Sequence, residues 1–114
     1  MGSTELLSAI GFQQELRHAA RFRPSLLLTN PLDVAVKKIE QNPAYSQCRL
    51  LTRMLAALTY QLGEFRRAEI ATFDAETLTL VITLMDAHAA GTSTREDWVR
   101  AVDAARSAEL GASG

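Results

Sequence analysis

The stretch AETLTLVITLMDAH, residues 75–88, constrains this chain more than any other. Read by twos, Leu78, Leu80, Ile82 and Leu84 point one way and Thr77, Thr79, Val81, Thr83 and Met85 the other, as in a strand. Read as a helix, at about 100° per residue, Glu76, Thr79, Thr83 and Asp86 gather on one narrow face. Leu78, Val81, Ile82 and Met85 then fill the opposite side, widened by Leu80 and Leu84. The two readings lead to different proteins. A buried strand requires a sheet; a helix makes the chain a bundle whose function lies on its surfaces.

Three considerations select the helix. The pattern runs on through Ala87–Ala90 to Gly91, about 15 residues, beyond an ordinary strand. Asp74 is a good N-cap and Gly91 a good terminator. No other segment offers a convincing partner strand, and a lone strand would leave its backbone unpaired. The β-branched Thr77, Thr79, Val81, Ile82 and Thr83 oppose this by only a few tenths of a kcal/mol each. A helix is therefore predicted over 75–89, at the centre of the fold.

The rest of the chain reads as further helices. Ser3 or Thr4 can cap a first one, with Leu6, Leu7, Ile10, Leu16 and Ala20 at helical spacing; Pro24 should stop it near Phe22. Leu26–Leu28 form an apolar connector. Asn30–Pro31 opens a short helix with Leu32, Ala35, Val36 and Ile39 inward and Lys37, Lys38 and Glu40 outward. Asn42–Pro43 repeats the signal for a helix running to Leu62, with Gly63 beyond it. Leu51, Met54, Leu55, Leu58 and Leu62 make its apolar stripe. Residues 64–73 fit either a loop or a short helix. Ser93 with Glu96 reads as a capping box for a last helix, with Trp98, Val99 and Val102 inward. The expectation is an all-α, compact bundle of four to five helices in a single domain, residues 1–110, with 111–114 as a flexible tail.

Composition agrees: 114 residues, 47% hydrophobic and 22% charged, suit one globular domain with its own core. No apolar run reaches the roughly 20 residues of a membrane-spanning helix. The N-terminus has no basic region followed by an apolar run, so no secretion signal is read there. The single cysteine, Cys48, cannot form an intramolecular disulfide, and a cytoplasmic location is expected.

Candidate chemistry is sparse. Glu15 and His18 have the i, i+3 spacing of helical di-iron sites. Such sites need a second pair, and Met85 stands three before His88. No metal or other cofactor is expected. Cys48 reads as a buried inert thiol; no glycine-rich phosphate loop or nucleophile elbow occurs. An enzyme is not expected. His88, one turn before its helix ends, fits a core edge or a pocket.

Net charge is only −1, but unevenly spread. Residues 1–67 carry nine Lys/Arg against five Asp/Glu, and residues 68–114 three against eight, net +4 and −5. Arg49 and Arg53 share a helix face and Arg66–Arg67 follow Gly63, a basic face able to meet phosphates or the acidic second half. A helix-turn-helix over residues 66–86 is excluded, because its second helix would show leucines to DNA.

The wide apolar arc of 78–89 asks for cover over more than a surface helix needs. The expectation is a non-catalytic protein–protein interaction or adaptor module that binds a protein partner or itself as a homodimer. Leu78, Val81, Ile82, Met85, His88 and Trp98 would carry packing within or between chains. The alternatives are a nucleic-acid-associated regulator using Arg49, Arg53, Arg66 and Arg67, and a small-ligand binder with His88 at a pocket.

Overall fold

The computed structural model describes residues 6–19 and 30–113. In chain order the elements are β1 (Leu6–Ser8), α1 (Ala9–Ala19), α2 (Pro31–Gln41), α3 (Ser46–Tyr60), β2 (Glu64–Arg66), a 3-10 helix (Arg67–Thr72), α4 (Ala75–Ala90) and α5 (Arg95–Ser113). The expected helical bundle forms, with a two-stranded ribbon added. Its radius of gyration, 13.3 Å, is that of one globule of this length.

α4 is a helix with the expected caps. Asp74 Oδ1 accepts the Thr77 N–H at 2.7 Å. Gly91 closes the other end at φ 68°, its N–H reaching the Ala87 and His88 carbonyls. The threonines that favoured a strand are accommodated by back-bonding: the Thr79 and Thr83 hydroxyls donate to the Ala75 and Thr79 carbonyls, both at 2.8 Å. α1, α2 and α3 all pack on α4. Leu78, Leu80, Val81, Ile82, Leu84 and Met85 are buried over a wide arc of it, while the strip carrying Glu76, Thr79 and Asp86 reaches solvent.

Several boundaries differ from expectation. Leu6 and Leu7 are not in the first helix. They pair antiparallel with β2, Leu6 opposite Arg66 and Leu7 opposite Phe65. Phe65 is buried there, its ring stacked on Phe12 of α1 at 4.2 Å, so β1 enters α1 against an aromatic core. Ser8, whose hydroxyl accepts the Gly11 N–H at 3.1 Å, marks the start of α1 in place of Ser3 or Thr4. A partner strand thus exists, but it serves residues 6–8 and not the 75–88 stretch. The expected stop near Phe22 and the connector leucines Leu26–Leu28 lie outside the described residues.

Asn30 caps α2 as expected, accepting the Asp33 N–H at 3.2 Å. Asn42 opens no helix. Its N–H caps the end of α2 on the Lys38 and Ile39 carbonyls, and α3 begins only at Ser46. α3 also ends before Leu62: Gln61 turns left-handed at φ 56°, and Gly63 at φ 123°. Leu62 therefore leaves the apolar stripe and is 70% exposed. The last helix is capped by Thr94 and Asp97, not Ser93 and Glu96. The Asp97 N–H donates to Thr94 Oγ1 at 3.1 Å and the Thr94 N–H to Asp97 Oδ2 at 3.0 Å. Gly111–Ser113, expected as tail, continue α5.

Candidate functional site

The residues expected to pack within or between chains lie in this chain's own core. Leu78, Val81, Ile82, Met85 and Trp98 are all buried. His88 is half-buried at the core edge and meets the Trp98 ring edge-on, with centroids 5.0 Å apart. The hollow beside it, walled by Thr59, Ser93 and Arg95, measures about 140 Å³. Small-molecule pockets run to roughly 300–1,000 Å³. Arg95, in its wall, donates to the Thr59 carbonyl at 2.9 Å.

The four arginines of the expected basic face differ in their engagement: Arg53 and Arg67 are paired, while Arg49 and Arg66 are exposed. Arg53 Nη1 pairs with Glu69, while Nη2 donates to the Glu64 carbonyl at 2.9 Å. Arg67 pairs with Glu15 at 2.8 Å, which removes Glu15 from the Glu15–His18 pair. The Arg66 N–H donates to Glu69 Oε1 at 2.8 Å. Arg49 is exposed. The charge asymmetry is largely settled inside the chain, because bases of the first part meet acids of the second: Arg17 with Asp86 at 2.8 Å, Lys38 with Glu76 at 3.0 Å, and Arg53 with Glu69.

A second polar cluster joins α2, α3 and α4. The Tyr45 hydroxyl donates to Asp74 Oδ2 at 3.3 Å, and the buried Gln47 links the Thr72 carbonyl to the Asp74 N–H, at 2.6 and 2.9 Å. Burial pushes the Asp74 carboxyl up, but the Thr77 and Tyr45 hydrogen bonds prevail and hold it below the usual carboxylate range. Cys48 is buried here, its thiol raised by burial and directed at the Lys38 carbonyl at 3.6 Å. A raised, enclosed thiol is a poor nucleophile. The cluster fixes how three helices meet. Among the described residues no three His, Cys, Asp or Glu side chains gather closely enough to hold a metal ion.

The surface feature missed by the sequence reading lies at the C-terminal end of α3. A groove of about 270 Å³ is lined by Arg53, Ala56, Tyr60, Leu62, Phe65 and Arg106. Arg53, Ala56 and Tyr60 share one face of α3 at i, i+3 and i+7. The Gln61–Gly63 turn projects Leu62 outward, and a Cβ at Gly63 would approach the Phe65 ring at 3.5 Å. From α5, Arg95 and Arg106 bring their guanidinium carbons to 5.6 and 5.9 Å from the Tyr60 ring centre. They are eleven residues apart, about three turns, hence on one face of α5. That spacing was legible; that Tyr60 stands between them was not. The larger hollow between α2 and α5, about 310 Å³, is walled by Asp33 and Asp97, already bound to Lys37 and Arg100.

Comparison with protein-family models, with characterised proteins and with solved structures finds no match for this chain. No helix among the described residues is long and apolar enough to cross a membrane.

Proposed function

We propose that the protein is a non-catalytic protein–protein interaction module whose contact surface is the Tyr60 groove. The observation that carries this reading is Leu62. It is a large apolar side chain, 70% exposed, set outward by a turn with positive φ on both flanks, beside an aromatic ring and an arginine. Tyr and Arg are enriched at interface hot spots, and Leu62 beside them extends the apolar patch of the groove, the kind of surface that marks a partner site. Homodimer formation through Leu78, Val81, Ile82, Met85 and Trp98 would mean opening the core, so contact with a partner or a second copy falls on the groove instead.

Site-specific photocrosslinking tests this in the cells that make the protein. A photoreactive amino acid at Leu62 should give a discrete heavier adduct, and the same group at the exposed Glu40 on α2 should not. Equal labelling at both positions, or none at Leu62, would overturn the reading.

The nucleic-acid alternative loses support from the internal pairing of Arg53 and Arg67. The small-ligand alternative loses support from the size of the hollow beside His88.

A further inference from the structure

We infer that the Tyr60 groove takes an acidic segment of its partner: one bulky apolar side chain seated between Tyr60 and Leu62, with a carboxylate next to it on Arg106 and a further one reaching past the Tyr60 ring to Arg95. The inference rests on the reading of the chain as an interaction module and specifies that module's ligand.

Charge complementarity selects this occupant. Among the described residues Arg106 contacts the Tyr60 ring and meets no carboxylate, and Arg95 gives its hydrogen bond to a neutral carbonyl, that of Thr59. Arg106 thus borders the apolar floor of the groove, and Arg95 approaches the same Tyr60 ring from outside the groove's lining. Arg53, at the opposite edge, is held by Glu69 and stacked over the Phe65 ring at 4.7 Å, so it shapes the groove without adding much free charge. Glu64, also at the rim, would repel a carboxylate placed on that side and so orients the acidic residues toward α5. Tyr60 presents its ring to the groove while its face is engaged by cations; that arrangement holds both guanidinium groups near the surface. A guanidinium meets a carboxylate in a bidentate fork, which gives geometry as well as attraction.

A nucleic-acid strand fits less well. It needs a run of cations along its phosphates. Among the described residues the groove instead offers Arg106 and the already paired Arg53, with Arg95 on the Tyr60 ring outside its lining, and Arg49 lies two helical turns back along α3 from Ala56. The volume, about 270 Å³, suits a bulky side chain.

The test is a selection from a random twelve-residue displayed peptide library on the intact protein, followed by fluorescence anisotropy with the enriched peptides. The expected result is enrichment of sequences with Asp or Glu within a few positions of Leu, Phe or Trp. Their affinity should fall at least about tenfold on Arg106→Glu, the loss of one charge-assisted contact, with circular dichroism unchanged. Replacing the peptide's acids by Lys should restore binding to Arg106→Glu. Leu62→Ala should weaken binding without altering its salt dependence. Enriched peptides that lack acids, or that bind Arg106→Glu as well as the parent, would overturn the acidic ligand while leaving the module reading in place. Failure to enrich any peptide, together with salt-sensitive binding of a single-stranded oligonucleotide, would overturn both.

Discussion

Arg17 on α1 and Asp86 on α4 meet at 2.8 Å across the join between the basic and acidic parts of the chain. Both side chains are nearly half exposed, so the contact directs helix packing more than it stabilises the fold. A double-mutant cycle with Arg17→Ala and Asp86→Ala should give a coupling of about 0–1 kcal/mol that shrinks as salt is added. A salt-insensitive coupling of several kcal/mol would mean that the pair is desolvated.

The stability of the fold should instead depend on the interior of α4. Leu84 is fully enclosed. Leu84→Ala removes its buried methyl groups and leaves a cavity, a loss expected at about 2–5 kcal/mol. Urea denaturation followed by circular dichroism measures it. A loss below about 1 kcal/mol would place Leu84 on a surface or in a site able to collapse.

The turn residues offer a sharper contrast. Gly91 has φ 68°, and a Cβ added there would meet nothing within 4 Å, so Gly91→Ala meets only backbone strain, about 1–2 kcal/mol. Gly111, also with open space around it, lies within α5, where Gly111→Ala should be neutral or stabilise by up to about 1 kcal/mol. Thermal melts should therefore show a lower midpoint for Gly91→Ala and an unchanged or higher one for Gly111→Ala. A destabilising Gly111→Ala would contradict the helical end of α5.

Acid should destabilise the protein through two carboxylates. Burial raises Glu69, but the hydrogen bonds from Arg53 and the Arg66 N–H outweigh it and leave the group below its ordinary range; Asp74 is lowered in the same balance. A carboxyl whose folded pKa is depressed contributes fully above its unfolded value, about 3.9–4.3, and loses that contribution as pH falls through the lower folded value. Denaturation midpoints taken from pH 7 downward should hold steady and then drop below about pH 4. In the Glu69→Gln, Asp74→Asn variant that drop should be shallower. An unchanged acid slope in the variant would remove these two groups from the account. Separately, loss of the Asp74 cap in Asp74→Ala should cost roughly 0.5–2 kcal/mol at neutral pH.

Much of the helical architecture is written locally. Asn30–Pro31, Asp74 and Gly91 act through bonds within one turn of themselves, so their positions announce α2 and α4 correctly. Where local signals compete, sequence and structure part: Thr92, Ser93 and Thr94 are all plausible caps, and only the Thr94–Asp97 geometry closes the box. Asn42–Pro43 resembles a helix start because Asn serves both ends, and here it ends α2. The ribbon of β1 and β2 is illegible in the sequence. Three residues are too short to show alternation, and the partners are brought together by the Phe12–Phe65 stack, a tertiary event. The groove is tertiary in the same sense. Tyr60, Leu62 and Arg106 carry no motif, and only the packing of α3 on α5 makes them neighbours.

The most direct test of the central claim, that α4 is enclosed by its own chain so that contact is left to the surface, is amide hydrogen exchange at several protein concentrations. The amides of Leu78–Met85 should be among the slowest to exchange, at a rate independent of concentration. Protection of that helix that is weak in dilute protein and grows with concentration would show that another subunit supplies its cover, and would contradict the account.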